Sequence, residues 1–218
     1  MRLNHFFRIS FFTLLLLVGS VASAQILAWQ FTFPEHSDGK QKTAPATTVD
    51  ENLEASTLIR GAGAQKVAGN KRGFSANLVA CDSFEEAKAA GAYFQFVVKP
   101  KKGYTVSLRN LSTIMRRQED AANYYRWTYS VNGKDFKELG PEDVLFEDTG
   151  NSGSRQPRTS LREYEDLQNV SYKTTIIFRL YAWGGKTNLS KRINFGFGKS
   201  GSKGNPVLAL FGTVDKEE

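Results

Sequence analysis

The stretch RINFGFGKSGSKGNP (192–206) contains Gly198-Lys199-Ser200, the tripeptide that closes a phosphate-binding P-loop. A P-loop needs G-x-x-x-x-G-K-[S/T] between a strand and a helix, so that backbone N–H groups cradle phosphates at the helix start. Here the first glycine position is Ile193, and GSKGNP after Ser200 cannot open a helix. The stretch reads as a flexible turn between the last two strands, not as a nucleotide site.

Acids are the next candidates for chemistry. Glycoside hydrolysis on a β-sandwich takes two carboxylates flanking a cleft. The segments FEE (84–86), QED (118–120) and EYED (163–166) supply acids, but no strand pattern pairs them. Glu85 and Glu86 stand where a helix N-terminus favours negative charge. Neither H-E-x-x-H nor G-x-S-x-G occurs, and beyond residue 24 the one histidine is His36. Cys81, the only cysteine, has no base near it in sequence and reads as a small buried hydrophobe. This pattern disfavours a glycan-active enzyme.

Aromatics and arginines make the better candidate. Strand alternation in TTIIFRLYAWGG puts Arg179, Tyr181 and Trp183 on one face. Arg116 and Tyr124 come from other strands. Together these five could stack on sugar rings and bond hydroxyls, so the expected ligand is a polysaccharide. The competing reading makes the rings the edge of a core. In that case the chain is a structural or interaction protein of the cell envelope with no small-ligand site. Glu35, Asp38 and Asp215 lie near the ends of the domain and are candidates for a structural Ca²⁺, which needs several oxygen ligands.

These side chains need strands to position them. AYFQFVVKP (92–100) places Phe94, Phe96 and Val98 on one face, and NYYRWTYS (123–130) groups Tyr125, Trp127 and Tyr129. In TTIIFRLYAWGG, Ile176, Phe178 and Leu180 oppose the arginine face. Asn132-Gly133 signals a two-residue hairpin. The polar run 138–158 reads as a long surface loop holding one short strand. Helix is scarce. CDSFEEAKAAG has a capping box at Ser83 and Glu86 and a stop at Gly91, and a weaker helix is expected in 160–167. Many short strands with Gly/Pro punctuation predict an all-β, antiparallel, jelly-roll-like sandwich with one or two short helices.

The compartment is read from the first residues. A basic start, the apolar run ISFFTLLLLV and the small-residue GSVASA form a signal peptide, residues 1–24, with the cut after Ala24. Residues 25–218 are expected to be one β-sandwich domain, exported to the periplasm or the extracellular space. No second apolar run could span a membrane. The chain has 29 Lys+Arg against 22 Asp+Glu, and losing Arg2 and Arg8 leaves +5. That charge is spread along the chain, so no nucleic-acid partner is expected.

The order LAWQFTF, RGAG, FSANL, a short helix, AYFQFVVKPKKGYTVSLRNLSTIMRRQ, WTYSVNGKDF, TIIFRLYAWGG and LFGTV resembles a family of exported bacterial β-sandwich modules. Those modules occur in proteins that carry PEP-CTERM or type IX secretion sorting tails. The resemblance spans 26–214 and implies a jelly-roll-like fold. It carries no catalytic residue over. The end at GTVDKEE has no Pro-Glu-Pro motif and no apolar anchor, so the expectation is a free protein rather than an anchored one.

Overall fold

In the computed structural model, residues 24–32, 39, 41–67, 70–186, 193–201 and 204–218 are described. The strands are β1 (Ala24–Trp29), β2 (Ala44–Pro45), β3 (Thr48–Val49), β4 (Thr57–Arg60), β5 (Ala64–Lys66), β6 (Gly73–Leu78), β7 (Tyr93–Val98) and β8 (Tyr104–Arg117). They continue with β9 (Tyr124–Ser130), β10 (Lys137–Leu145), β11 (Ser154–Arg155), β12 (Thr159–Ser160), β13 (Val170–Ser171), β14 (Ile176–Trp183), β15 (Asn194–Gly198) and β16 (Leu208–Lys216). One helix, α1 (Phe84–Ala90), joins β6 to β7.

The fold is an antiparallel β-sandwich of jelly-roll type. One sheet runs β3-β1-β16-β8-β15-β6-β5, with β11, β12 and β13 also pairing with β8. The other runs β10-β9-β14-β7-β4-β2. Apart from the consecutive pairs β5–β6 and β9–β10, most neighbours in each sheet are distant in sequence, which is why local signals alone do not show the pairing.

Alternation decides what is buried. Phe94, Phe96 and Val98 of β7, Tyr125, Trp127 and Tyr129 of β9, and Ile176, Phe178 and Leu180 of β14 all point inward and are buried. Rings from the two sheets interlock between the layers. Trp29 meets Phe96 at 5.1 Å, Phe94 meets Phe197 at 5.3 Å, and Trp127 lies 6.2 Å from Phe197. Burying each such side chain stabilises the fold by about 1.5–3 kcal/mol.

β8 changes phase partway along. Val106 and Leu108 point into the core, and then Leu111, Thr113 and Met115 do. The register against β16 slips between Phe211 and Gly212, so one extra residue of β8 is accommodated. A bulge exchanges faces for every residue beyond it. Arg117 therefore turns inward, where it donates to the carbonyls of Ala121 and Ala122 at 2.8 and 3.0 Å. Arg116 turns outward.

The helix forms where its caps predict. Ser83 Oγ accepts from the Glu86 N–H at 3.2 Å, and the Glu86 carboxylate accepts from the Asp82 N–H at 2.9 Å. Gly91 ends the helix in the left-handed region with φ 68°. The second expected helix shrinks to a 3-10 turn, Glu165–Leu167.

Two loops differ from expectation. The β9–β10 connection is 131–136, longer than a two-residue hairpin, because Asn132 Oδ1 accepts from the N–H groups of Lys134 and Asp135 and builds a wider turn. The region 138–158 holds more strand than expected, since β10 covers Lys137–Leu145 and β11 covers Ser154–Arg155.

Candidate functional site

The outer face of the six-stranded sheet collects four of the five expected residues. In register, Arg179 of β14 stands between Gln95 of β7 and Thr128 of β9. One pleat along, Tyr181 stands between Tyr93 and Arg126. Trp183 follows, opposite Tyr124, which in turn faces Leu145 of β10.

The rings on this face are not all available. Helix α1 lies over the end of β14, and Phe84 packs at 5.6 Å from both Tyr181 and Trp183. Tyr181 and Trp183 are consequently 3% and 5% exposed. They serve as a small outer core beneath the helix and cannot offer open ring faces. Tyr124 is the ring left outside, at 37% exposure. It stacks on Trp183 with a centroid distance of 6.1 Å and planes 14° apart. Leu145 beside it is 47% exposed.

Arg179 is built into the face. Its guanidinium carbon lies 4.4 Å from the Tyr93 ring centroid and 4.0 Å from that of Phe136. Nε donates to Gln95 Oε1 at 2.8 Å and Nη1 to the Tyr181 hydroxyl at 3.2 Å. Two aromatic faces and two hydrogen bonds fix the plane of a half-buried cation. A guanidinium has five N–H donors, so capacity remains for a ligand.

Arg126 of β9 faces the irregular part of β10. The register there slips between Leu139 and Val144, and the looped-out residues fold over the guanidinium. Nη1 pairs with Glu138 at 2.8 Å and Asp143 at 3.0 Å. Glu138 and Asp143 are thus engaged by an arginine. Phe136, Tyr93, Gln95 and Arg126 were not singled out from sequence. Alternation in 93–97 carried a signal for two of them, but Phe136 sits in a loop with no periodicity.

Arg116 does not join this face. It projects from β8 on the opposite sheet, where Nη1 donates to the Asn151 carbonyl at 3.0 Å and Nη2 to Asn70 Oδ1. Of the calcium candidates, Glu35 and Asp38 lie outside the described residues. Asp215 is exposed on β16, opposite Thr105. Among the described residues no three His, Cys, Asp or Glu side chains gather as a metal site would need.

The Gly-Lys-Ser stretch has a structural role. Ser200 is fully buried, and its Oγ accepts from the Phe31 N–H at 2.8 Å while its own N–H donates to the Arg72 carbonyl at 2.9 Å. These bonds tie Ser200 to the segment that follows β1 and to the one that precedes β6, so this residue is anchored rather than free. Cys81 is buried, and burial, with Glu86 and Asp82 adding to it, pushes its thiol above the usual range. That state suits packing and not nucleophilic attack.

No protein-family model matches the chain, and no curated protein does. Among solved structures, the X-ray crystal structure of a carbohydrate-binding module specific for non-crystalline cellulose, CBM28, is similar with a TM-score of 0.36 at 8% identity. The match covers 90% of this chain and 97% of that one. At that score the likeness does not bear on this chain's ligand.

Proposed function

We propose that the chain is a non-catalytic binding module for a polysaccharide of the cell surface or extracellular matrix, with the outer face of the six-stranded sheet as its ligand surface. The observation that carries this is Tyr124, an exposed ring on a rigid base of Trp183, in line with the half-buried Arg126 and Arg179. An exposed, immobilised ring can stack on the apolar face of a sugar. Fixed guanidinium and amide groups beside it can bond hydroxyls with little ordering cost. An envelope protein that associates through sheet edges is less well supported. The edge strand β10 carries Glu138, Pro141, Glu142 and Asp143, residues that discourage strand addition.

The test is retardation in gels containing a panel of soluble polysaccharides. Wild type should be retarded by at least one, and Tyr124→Ala should weaken that interaction about tenfold, or about 1.4 kcal/mol. Arg179→Gln should weaken it as well. Retardation by none of the panel, or equal retardation of wild type and Tyr124→Ala, overturns the assignment.

A further inference from the structure

The outer face of the ten-stranded sheet has a gap at the centre of three paired strands. Gly196 of β15 lies between Ser75 of β6 and Arg116 of β8. A side chain cannot fill the place, because a Cβ would come 2.4 Å from the Phe74 carbonyl oxygen. The result is a pit of about 60 Å³ walled by Asn70, Ser75, Arg116, Gln118, Asn151 and Asn194.

Two features of this pit call for a ligand. Ser75 is 1% exposed, and its Oγ is buried without a hydrogen-bond partner. Leaving such a group unsatisfied is costly, and native structures seldom do so. Its backbone is held rigid, since Arg60 Nε and Nη2 donate to the Ser75 carbonyl at 2.9 and 2.7 Å.

The second feature is uncompensated charge. Arg116 bonds two neutral acceptors, and among the described residues no ion pair involves it. Burial, together with the nearby positive charge of Arg72, pulls its pKa below the ordinary arginine value. No carboxylate lines the pit, and a half-buried charge is stabilised by a counter-charge.

We propose that this pit is an oxyanion site, in which Arg116 and Ser75 hold one carboxylate, sulfate or phosphate group. Oxyanions accept from both a guanidinium and a hydroxyl, which a cation cannot do. A neutral sugar would leave the charge unmatched. The volume suits a single anionic group rather than a whole sugar ring. The group could arrive as a free ion or as a substituent of an acidic chain crossing the sheet. The site lies on the sheet opposite the Tyr124 face, so it stands or falls independently of the proposed polysaccharide surface.

The experiment is amide NMR of the full chain, titrated at constant ionic strength with millimolar sodium sulfate in one arm and a short oligogalacturonate in the other. Saturable shifts at Ser75, Gly196 and Arg116 are expected in at least one arm. Arg116→Gln should weaken binding about tenfold, as expected for loss of a charge-assisted bond. Ser75→Ala removes only a hydroxyl, keeps the fold within reach of the same spectra, and should also weaken binding. Response to sulfate, alone or with the uronate, supports a site for free oxyanions. Response to the uronate alone supports a chain-borne carboxylate. No saturable shift in either arm, or affinity unchanged in both variants, overturns the proposal.

Discussion

Trp183 stands opposite Tyr124 across the β14–β9 ladder, and their rings lie close to parallel, one buried under helix α1 and the other facing solvent. The pair splits one aromatic cluster into a structural half and an available half. Strand alternation places both on the same face, but only the helix packed on β14 decides which ring is covered.

That division predicts opposite phenotypes for the two substitutions. Trp183→Ala should destabilise by about 3–5 kcal/mol, the scale expected when a buried tryptophan is truncated. Trp127→Ala, which empties the space between Phe96 and Phe197, should cost about as much. Tyr124→Ala should lower stability by about 1 kcal/mol or less, since its ring is partly solvated. Denaturant midpoints of the three variants check this. A Trp183→Ala midpoint equal to that of wild type would show that the helix does not bury the ring.

Asp166 gives stability a defined acid dependence. Its Oδ1 accepts from the Tyr129 hydroxyl at 2.6 Å and its Oδ2 from Lys137 Nζ at 2.6 Å. Burial works to raise its pKa, but these two bonds outweigh it and hold the carboxyl below its ordinary value. A depressed carboxyl stabilises the fold at pH above its unfolded value of about 3.9, and that stability is lost as pH falls through the lower folded value. With the side chain 29% exposed, the contribution is about 1 kcal/mol. Asp166→Asn should therefore be less stable than wild type at pH 7 and nearly equal to it near pH 2–3. A gap between the two that does not narrow on acidification would rule out this carboxyl as a source of the acid loss.

The signal-peptide reading makes a prediction about processing. Residues 1–23 lie outside the described residues, and the reading of 1–24 as a signal peptide rests on the sequence. Intact-mass analysis of exported protein should find Gln25 as the first residue. A product that retains Met1 would argue against export by this route.

Much of the architecture was legible in the residues themselves. Alternation at 94–98, 125–129 and 176–180 named the inward side chains correctly, because a strand shows opposite faces at successive residues and only one face of each meets the other sheet. Ser83, Glu86 and Gly91 marked α1 for an equally local reason. Capping is an interaction over a few residues, so its chemistry is written in a few residues. Other features were decided only by tertiary structure. The pairing of β8 with β15 and β16 put Arg116 on the far sheet, and no local pattern states which sheet a long strand joins. Phe84 reached Tyr181 and Trp183 across nearly 100 residues of chain and closed a face that alternation left open. Ser75 and Arg116 meet around Gly196 for the same reason. A period-two pattern states which side of a strand a residue occupies, whereas the register between distant strands, set by packing of the whole sandwich, determines its neighbours.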